Sequence, residues 1–324
     1  MLSYVMRRLG YGLVMILAVV VLNFLLIRIA PGDPAEMIAG EMGGISAELL
    51  NDIRISYGLD QSVWVQLWIY LKQIAQLDLG TSFFFDKPVA ELIGARLWPT
   101  LLLVLSAQIM SIIVGTVLGA LAARNPRGMM SNFVGVFSLL GYALPVFWTG
   151  IMLIILFASW IPIFPVQGMT SARFDGGSLA YALDVLHHLA LPSLTLAIIF
   201  LAQYARISRA SMIDVLGADY VRTARAKGVS ERRVVFWHAL RNAILPLLTV
   251  AGLQFGNLIS GALLVETVFN WPGMGTLAFE SILRRDYPTV MGVLIVGAVM
   301  VVVANILTDI SYRFADPRIR TGGR

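Results

Sequence analysis

Residues 206–246 read RISRASMIDVLGADYVRTARAKGVSERRVVFWHALRNAILP. Eight Lys/Arg (Arg206, Arg209, Arg222, Arg225, Lys227, Arg232, Arg233, Arg241) stand here against three acids (Asp214, Asp219, Glu231). Apolar runs of about 20 residues, long enough to cross a bilayer as helices, flank the stretch on both sides. A basic segment between two hydrophobic spans belongs on the cytoplasmic side of a membrane. Its helical spacing, interrupted at Gly228, predicts a docking element rather than a simple tether.

The rest of the chain supports that frame. Of 324 residues, 58% are hydrophobic and only 13% are charged, where a soluble protein carries about a quarter charged residues. Mean hydropathy is +0.80, so this is a polytopic membrane protein. Six windows are apolar and long enough to span: 9–30, 100–123, 133–158, 186–205, 244–265 and 290–311. The third contains Pro145, which predicts a tilt or kink. The apolar core of the first is long for a signal sequence, and IRIAPGDPA is a weak cleavage site, so an uncleaved first helix is expected.

Charge sets the orientation. The N-terminus, the 124–127 turn, 206–243 and the tail are each net basic, and the three intervening segments are each net acidic. Both termini are therefore expected on the cytoplasmic side. Topology accounts for the net charge of +5 and the pI near 9.6, and no nucleic-acid partner is implied. The chain has no cysteine, which excludes disulfides and thiolate metal sites.

The longest outer segment, 31–97, holds nine acids and four bases. Within it Val63, Leu67, Tyr70, Leu71, Ile74 and Leu77 recur at helical spacing, with Trp64 and Trp68 beside them. An amphipathic helix is expected, lying on the outer membrane face or packed inside a small cap.

Several segments, in order, carry a resemblance. The 206–246 stretch, with Ala224, Ala226, Gly228 and Ile244-Leu245-Pro246, resembles the cytoplasmic EAA loop of ABC-importer permeases. It lacks the opening Glu, and Gly228 lies 18 residues before Pro246, as in the peptide/nickel branch of that family. Pro31-Gly32-Asp33-Pro34, Tyr57-Gly58-Leu59-Asp60, Leu79-Gly80-Thr81-Ser82, Pro88-Val89 and Arg96-Leu97-Trp98-Pro99-Thr100-Leu101 are similar to the same branch. So are VETVFNWPGMGTLAFESILRRDYPTVMG (265–292) and Asp316-Pro317-Arg318-Ile319-Arg320. The long segment after the first helix resembles the B-type subunit of dipeptide, oligopeptide and nickel importers.

The resemblance implies an all-α polytopic membrane protein of six transmembrane helices with the type I ABC-importer permease fold. Its expected parts are 1–30, an extracytoplasmic segment 31–98, a five-helix core 99–312 containing a coupling loop 206–243, and a tail 313–324. It implies a bacterial inner-membrane subunit that imports di- or oligopeptides, or alternatively nickel, an opine or an oligosaccharide. The implied partners are a second, nonidentical permease, two ABC ATPase subunits, an extracytoplasmic binding protein and membrane lipid. No cofactor is expected in this chain, ATP and Mg residing on the ATPases. Asp219, Ala224, Lys227, Gly228, Glu231 and Arg232 are the implied ATPase-coupling residues, with Asp219 suited to cap the docking helix and Ser230 to start the next one.

Pore-lining candidates come from polar positions inside the spans. Gln254, Asn257 and Ser260 recur every third residue, on roughly one helix face, and Gln108 and Gln203 join them, with Asn305 and Asp309 further on. Such groups equally serve as hydrogen-bonding glue between helices. Asp309 is placed to pair with Arg313, and no second acid is expected buried mid-span. Trp271-Pro272-Gly273-Met274-Gly275 has turn chemistry suited to an outer gate, a receptor contact or a tight cap. No phosphate-loop motif is present, and His187, His188 and His238 show no metal-site spacing. The expected protein is not an enzyme. An ion-coupled secondary transporter is the alternative class, and it would need buried ionisable groups.

Overall fold

The structure, a computed structural model, describes residues 2–29, 50–51, 55, 60–82, 84–172 and 176–315. The motif residues 31–34, 57–59 and 316–320 lie outside them. Among the described residues four unbroken helices are long and apolar enough to cross a membrane, and counting each of two bent pairs as one span gives up to six. The chain forms two compact units: residues 1–98 with 273–303, and 99–272 with 304–324.

In the first unit, α1 (Leu2–Ile29) is followed by α2 (Val63–Ala75) and a hairpin of β1 (Thr81–Ser82) and β2 (Lys87–Pro88). Helix α2 has part of the expected amphipathic character: Leu67, Tyr70, Leu71 and Ile74 are partly covered and Trp64 and Trp68 stand exposed, but Val63 is exposed too and Leu77 lies exposed beyond the helix end. Tyr70 stacks on Phe24 of α1, with ring centroids 6.0 Å apart. Asp286 precedes the last helix and is almost completely buried. It accepts hydrogen bonds from Ser82 of the hairpin and from Thr289. The hairpin is thereby tied to a helix start more than 200 residues away in sequence.

Helix α3 (Val89–Arg124) runs from the first unit into the second, where most of its length lies. Helix α4 (Met129–Ala143) and helix α5 (Val146–Ile154), which continues through π-helical turns to Trp160, meet at 107°. The cause is local. A residue before proline is pushed out of the helical region, and Leu144 is extended at φ −84, ψ 132. The expected kink at Pro145 is a full break.

Helix α6 (Ser178–Leu216) has 39 residues, not the 20 of its apolar window. At 1.5 Å per residue it is about 58 Å long, nearly twice the hydrocarbon thickness. The first eleven residues of the basic stretch thus belong to a helix that overruns its span. Then come α7 (Asp219–Ala226), α8 (Glu231–Arg233), π-helical turns over Val234–Ala239, α9 (Leu240–Ala243) and α10 (Leu245–Val268). Helix α11 (Met274–Leu283) and helix α12 (Tyr287–Ala315) complete the chain.

The core of the second unit draws on α3, α6 and α10, around Leu103, Ala107, Phe200, Tyr204, Leu258 and Val265. Helices α3 and α6 approach very closely. A Cβ on Gly119 would lie 2.5 Å from the Ala205 carbonyl oxygen, and one on Gly115 would lie 2.7 Å from Tyr204 Cβ. Hydroxyls join the same seam: Ser111 donates to the Ala197 carbonyl and Ser208 to that of Thr116. Small residues that admit a neighbouring backbone, with serines bonding across, are how helices associate where lipid removes the hydrophobic drive.

Candidate functional site

The basic stretch folds into a helix–turn–helix whose corner is set by Gly228. That residue sits at φ +76, the left-handed region open to glycine. Its N–H donates to the Arg225 carbonyl at 2.9 Å, and the Val229 N–H donates to the Ala224 carbonyl at 3.2 Å. This pair of bonds is a Schellman ending. The apolar contact that accompanies such an ending is also present, because Val221, Ala224 and Val234 cluster with Val229 packed against them. Across the turn the Arg225 guanidinium donates twice to the Glu231 carboxylate, at 2.8 and 3.1 Å. That bond and the cationic neighbours Arg225 and Arg124 hold the Glu231 carboxyl below the usual range.

These contacts redistribute the expected roles. Ala218, extended, occupies the cap of α7, and Asp219 makes no capping bond. Asp219 instead stands in the first turn, where a carboxylate suits the helix dipole, 3.7 Å from Arg222. Ser230 holds the cap position of α8 without a side-chain bond. Ala224 faces inward and Glu231 is engaged by Arg225, so neither presents a free side chain to a partner. Lys227 and Arg232 are exposed. Sequence reading passed over Arg225; an acid six residues further on, across a glycine, was its signal. The element is braced from behind by Asn242, whose amide donates to the Tyr220 hydroxyl at 2.8 Å.

Three of the polar span residues form a chain. Asn257 Nδ2 donates to Gln254 Oε1 at 2.8 Å, and Gln254 Nε2 donates to Gln203 Oε1, linking α10 to α6. Asn257 is exposed and the two glutamines are partly covered. Gln108 lies apart from this chain. It is buried and donates to the Tyr204 hydroxyl at 3.0 Å and the Ala251 carbonyl at 3.2 Å, which makes it a tie between three helices. Ser260 belongs to α10, but its side chain lies outside the described residues, as do those of Asp309 and Arg313. Asn305 is partly covered on α12.

Two acids are buried outside the middle of the spans. Asp286 anchors the hairpin as described, and Glu266, near the end of α10, accepts from Thr100 at 2.6 Å. Both lie at helix ends rather than mid-span. Trp271 is fully buried and donates its indole N–H to the Pro99 carbonyl at 2.9 Å. It is therefore a core plug, not an exposed receptor contact. His187 and His188 are engaged by backbone carbonyls: His187 Nε2 lies 2.7 Å from the Ile163 carbonyl oxygen, and His188 Nδ1 lies 2.9 Å from that of Asp184. The Asp184 carboxylate accepts the Ser171 N–H and hydroxyl, both at 2.7 Å. Among the described residues, no group of three His, Asp or Glu could hold a metal ion.

Comparison with known proteins gives consistent results. Residues 115–321 match the family described as binding-protein-dependent transport system inner membrane component, and residues 1–104 match its N-terminal membrane component. The chain is 41% identical over 317 residues to the probable peptide ABC transporter permease protein y4tP of Sinorhizobium fredii, covering 98% of this chain and 99% of that one. It is 38% identical over 337 residues to the dipeptide transport system permease protein DppB of Escherichia coli, covering 99% of each. It is also 38% identical over 320 residues to the oligopeptide transport system permease protein AppB of Bacillus subtilis, covering 98% of this chain and 99% of the relative. Among solved structures, an inward-facing MetNI methionine ABC transporter matches with a TM-score of 0.54 at 15% identity, over 69% of this chain and 96% of that one. This last likeness concerns the fold.

Proposed function

The chain belongs to the family of binding-protein-dependent transport system inner membrane components, and we propose that it forms half of the translocation pore of an ATP-driven di- or oligopeptide importer. The carrying observation is end-to-end similarity, at 38% and above, to permeases named for peptide, dipeptide and oligopeptide transport. As a transport subunit it is not an enzyme. Hydrolysis, with ATP and Mg, belongs to two ATPase subunits on the cytoplasmic side, where both termini of this chain also lie. A second, nonidentical permease completes the pore, and an extracytoplasmic binding protein delivers cargo.

The helix–turn–helix at 219–233 is the handle in this reading. The Schellman corner and the Arg225–Glu231 pair make it rigid, so it transmits force without absorbing it, and Lys227 and Arg232 offer exposed cations to the ATPase surface. When the ATPases close on ATP, the handle moves with them and drags the far end of α6. The Gln203–Gln254–Asn257 chain supports a pore role because carboxamides both donate and accept, as a peptide backbone does. They exchange bonds with a passing peptide without the deep trap a fixed charge would create.

The test is uptake of a labelled dipeptide by the assembled complex in proteoliposomes. ATP-dependent accumulation that needs the binding protein is expected. Accumulation driven by an ion gradient through this chain alone would overturn the reading, and exclusive uptake of a nickel chelate would replace the cargo.

A further inference from the structure

We propose that the cavity between α4 and the lower part of α6 binds one anionic phospholipid of the cytoplasmic leaflet. The inference rests on the orientation proposed above, which puts Arg206 at the inner end of its span. The cavity measures 270 Å³ and is walled by Val134, Ser138, Leu139 and Tyr142 of α4 and by Arg206 and Arg209 of α6. One side is thus hydrocarbon and the other cationic.

No acid among the described residues neutralises the two guanidiniums. Arg209 is held in place by neutral acceptors, its Nε donating to the Ser131 hydroxyl at 2.6 Å and its Nη2 to the Pro126 carbonyl at 3.2 Å. Arg206, one helical turn earlier, meets no acid or acceptor among the described residues and is exposed. Two positive groups without a counter-ion call for an anion, and guanidiniums suit phosphate oxygens in particular.

The apolar wall decides what kind of anion. Leu139 and Tyr142 are about three-quarters exposed, and the bare apolar surface continues along α4 through Phe133, Val136 and Leu140. A small soluble anion would satisfy the arginines but make no contact with that apolar surface. A lipid satisfies both, its phosphodiester on Arg206 and Arg209 and its acyl chain along Leu139 and Tyr142. Basic pockets between helices at the cytoplasmic face recognise anionic headgroups on these terms. A zwitterionic headgroup would bring its own ammonium toward Arg206, so the site favours a net negative lipid. A lipid so seated holds α4 against α6 next to the break at Pro145.

The experiment is native mass spectrometry of the assembled complex after exposure to phosphatidylglycerol or phosphatidylethanolamine. Selective retention of phosphatidylglycerol is expected, at one molecule per copy of this chain above any retained elsewhere. Arg206→Gln should lower that retention about fivefold, the effect of one basic contact at a lipid surface, and Arg206→Lys should restore most of it. Arg241→Gln, an exposed cation outside the cavity, should leave it unchanged. Leu139→Trp, which fills the apolar wall and keeps both charges, should also lower it. Equal retention of the two lipids, or equal loss in the Arg206→Gln and Arg241→Gln variants, would overturn the proposal. So would displacement of phosphatidylglycerol by inorganic phosphate or by a peptide. Cross-linking of the Leu139→Cys variant to the second permease, in a chain with no other cysteine, would show protein in the cavity and would equally refute it.

Discussion

Gly228 and Gly119 need to be glycine for opposite physical reasons. Nothing lies within 4 Å of a Cβ built on Gly228, so its constraint is its φ of +76 alone. Gly228→Val should cost about 1–2 kcal/mol through the left-handed backbone and, by loosening the corner, reduce copurification of the ATPases while membrane insertion persists. Gly119 is crowded instead, with Ala205 O and Ser208 Cβ at 2.5 Å from a built Cβ. Gly119→Leu should separate α3 from α6 and lower thermal stability in detergent by about 1–3 kcal/mol or more. The Arg225–Glu231 pair gives a pH signature. The Glu231 carboxyl is held down mainly by the Arg225 hydrogen bond. The stabilisation is therefore present above the unfolded-state pKa and lost as pH falls through the lowered folded value. Both partners are more than a third exposed, so the effect stays below about 1 kcal/mol. Melting followed from neutral pH into the acid range should show a small loss that Glu231→Gln removes.

At the scale of elements, proline and polar periodicity were readable and their consequences only partly so. Pro145 announces a disturbance, but its extent of 107° depends on where α4 and α5 find packing. Ser138 bonding to the Ala202 carbonyl anchors α4 on α6. Pro145→Ala should let Leu144 return to the helix, and spin labels at 136 and 156 should then move apart. The three-residue repeat of Gln254 and Asn257 put them on one face. Their junction with Gln203 joins helices about 50 residues apart and is invisible in sequence. Gln254→Leu should cut peptide uptake severalfold with complex assembly unchanged, and full uptake would dismiss the pore role. Gln108 shows the limit of composition as a guide, since a buried carboxamide that ties helices has the same sequence signature as one that lines a path.

For the whole molecule, alternating apolar windows were enough to define a multi-span protein, and the alternating loop charge is the basis for proposing a basic inner side. Cysteines introduced singly at Lys227 and at Lys87 should label from opposite sides of the membrane, and labelling of both from one side would break the topology. The apolar spans and a disturbance at Pro145 were legible because hydrophobic transfer and proline sterics act on neighbouring residues. So was the special status of Gly228, as the break in a helical pattern. The overrun of α6 was not, because a polar helix beyond the bilayer has no apolar period long enough to mark it. Burial of Glu266, Asp286 and Trp271 was hidden too, since each takes its partner from far along the chain, at Thr100, Ser82 and Pro99. By itself the sequence determined membrane class and the position of the glycine corner at Gly228, both consequences of local solvation and backbone sterics. Only the tertiary structure decided which residues around that corner face inward, which amides form a chain and where two arginines stand without a counter-charge among the described residues, because those depend on close approach between distant helices.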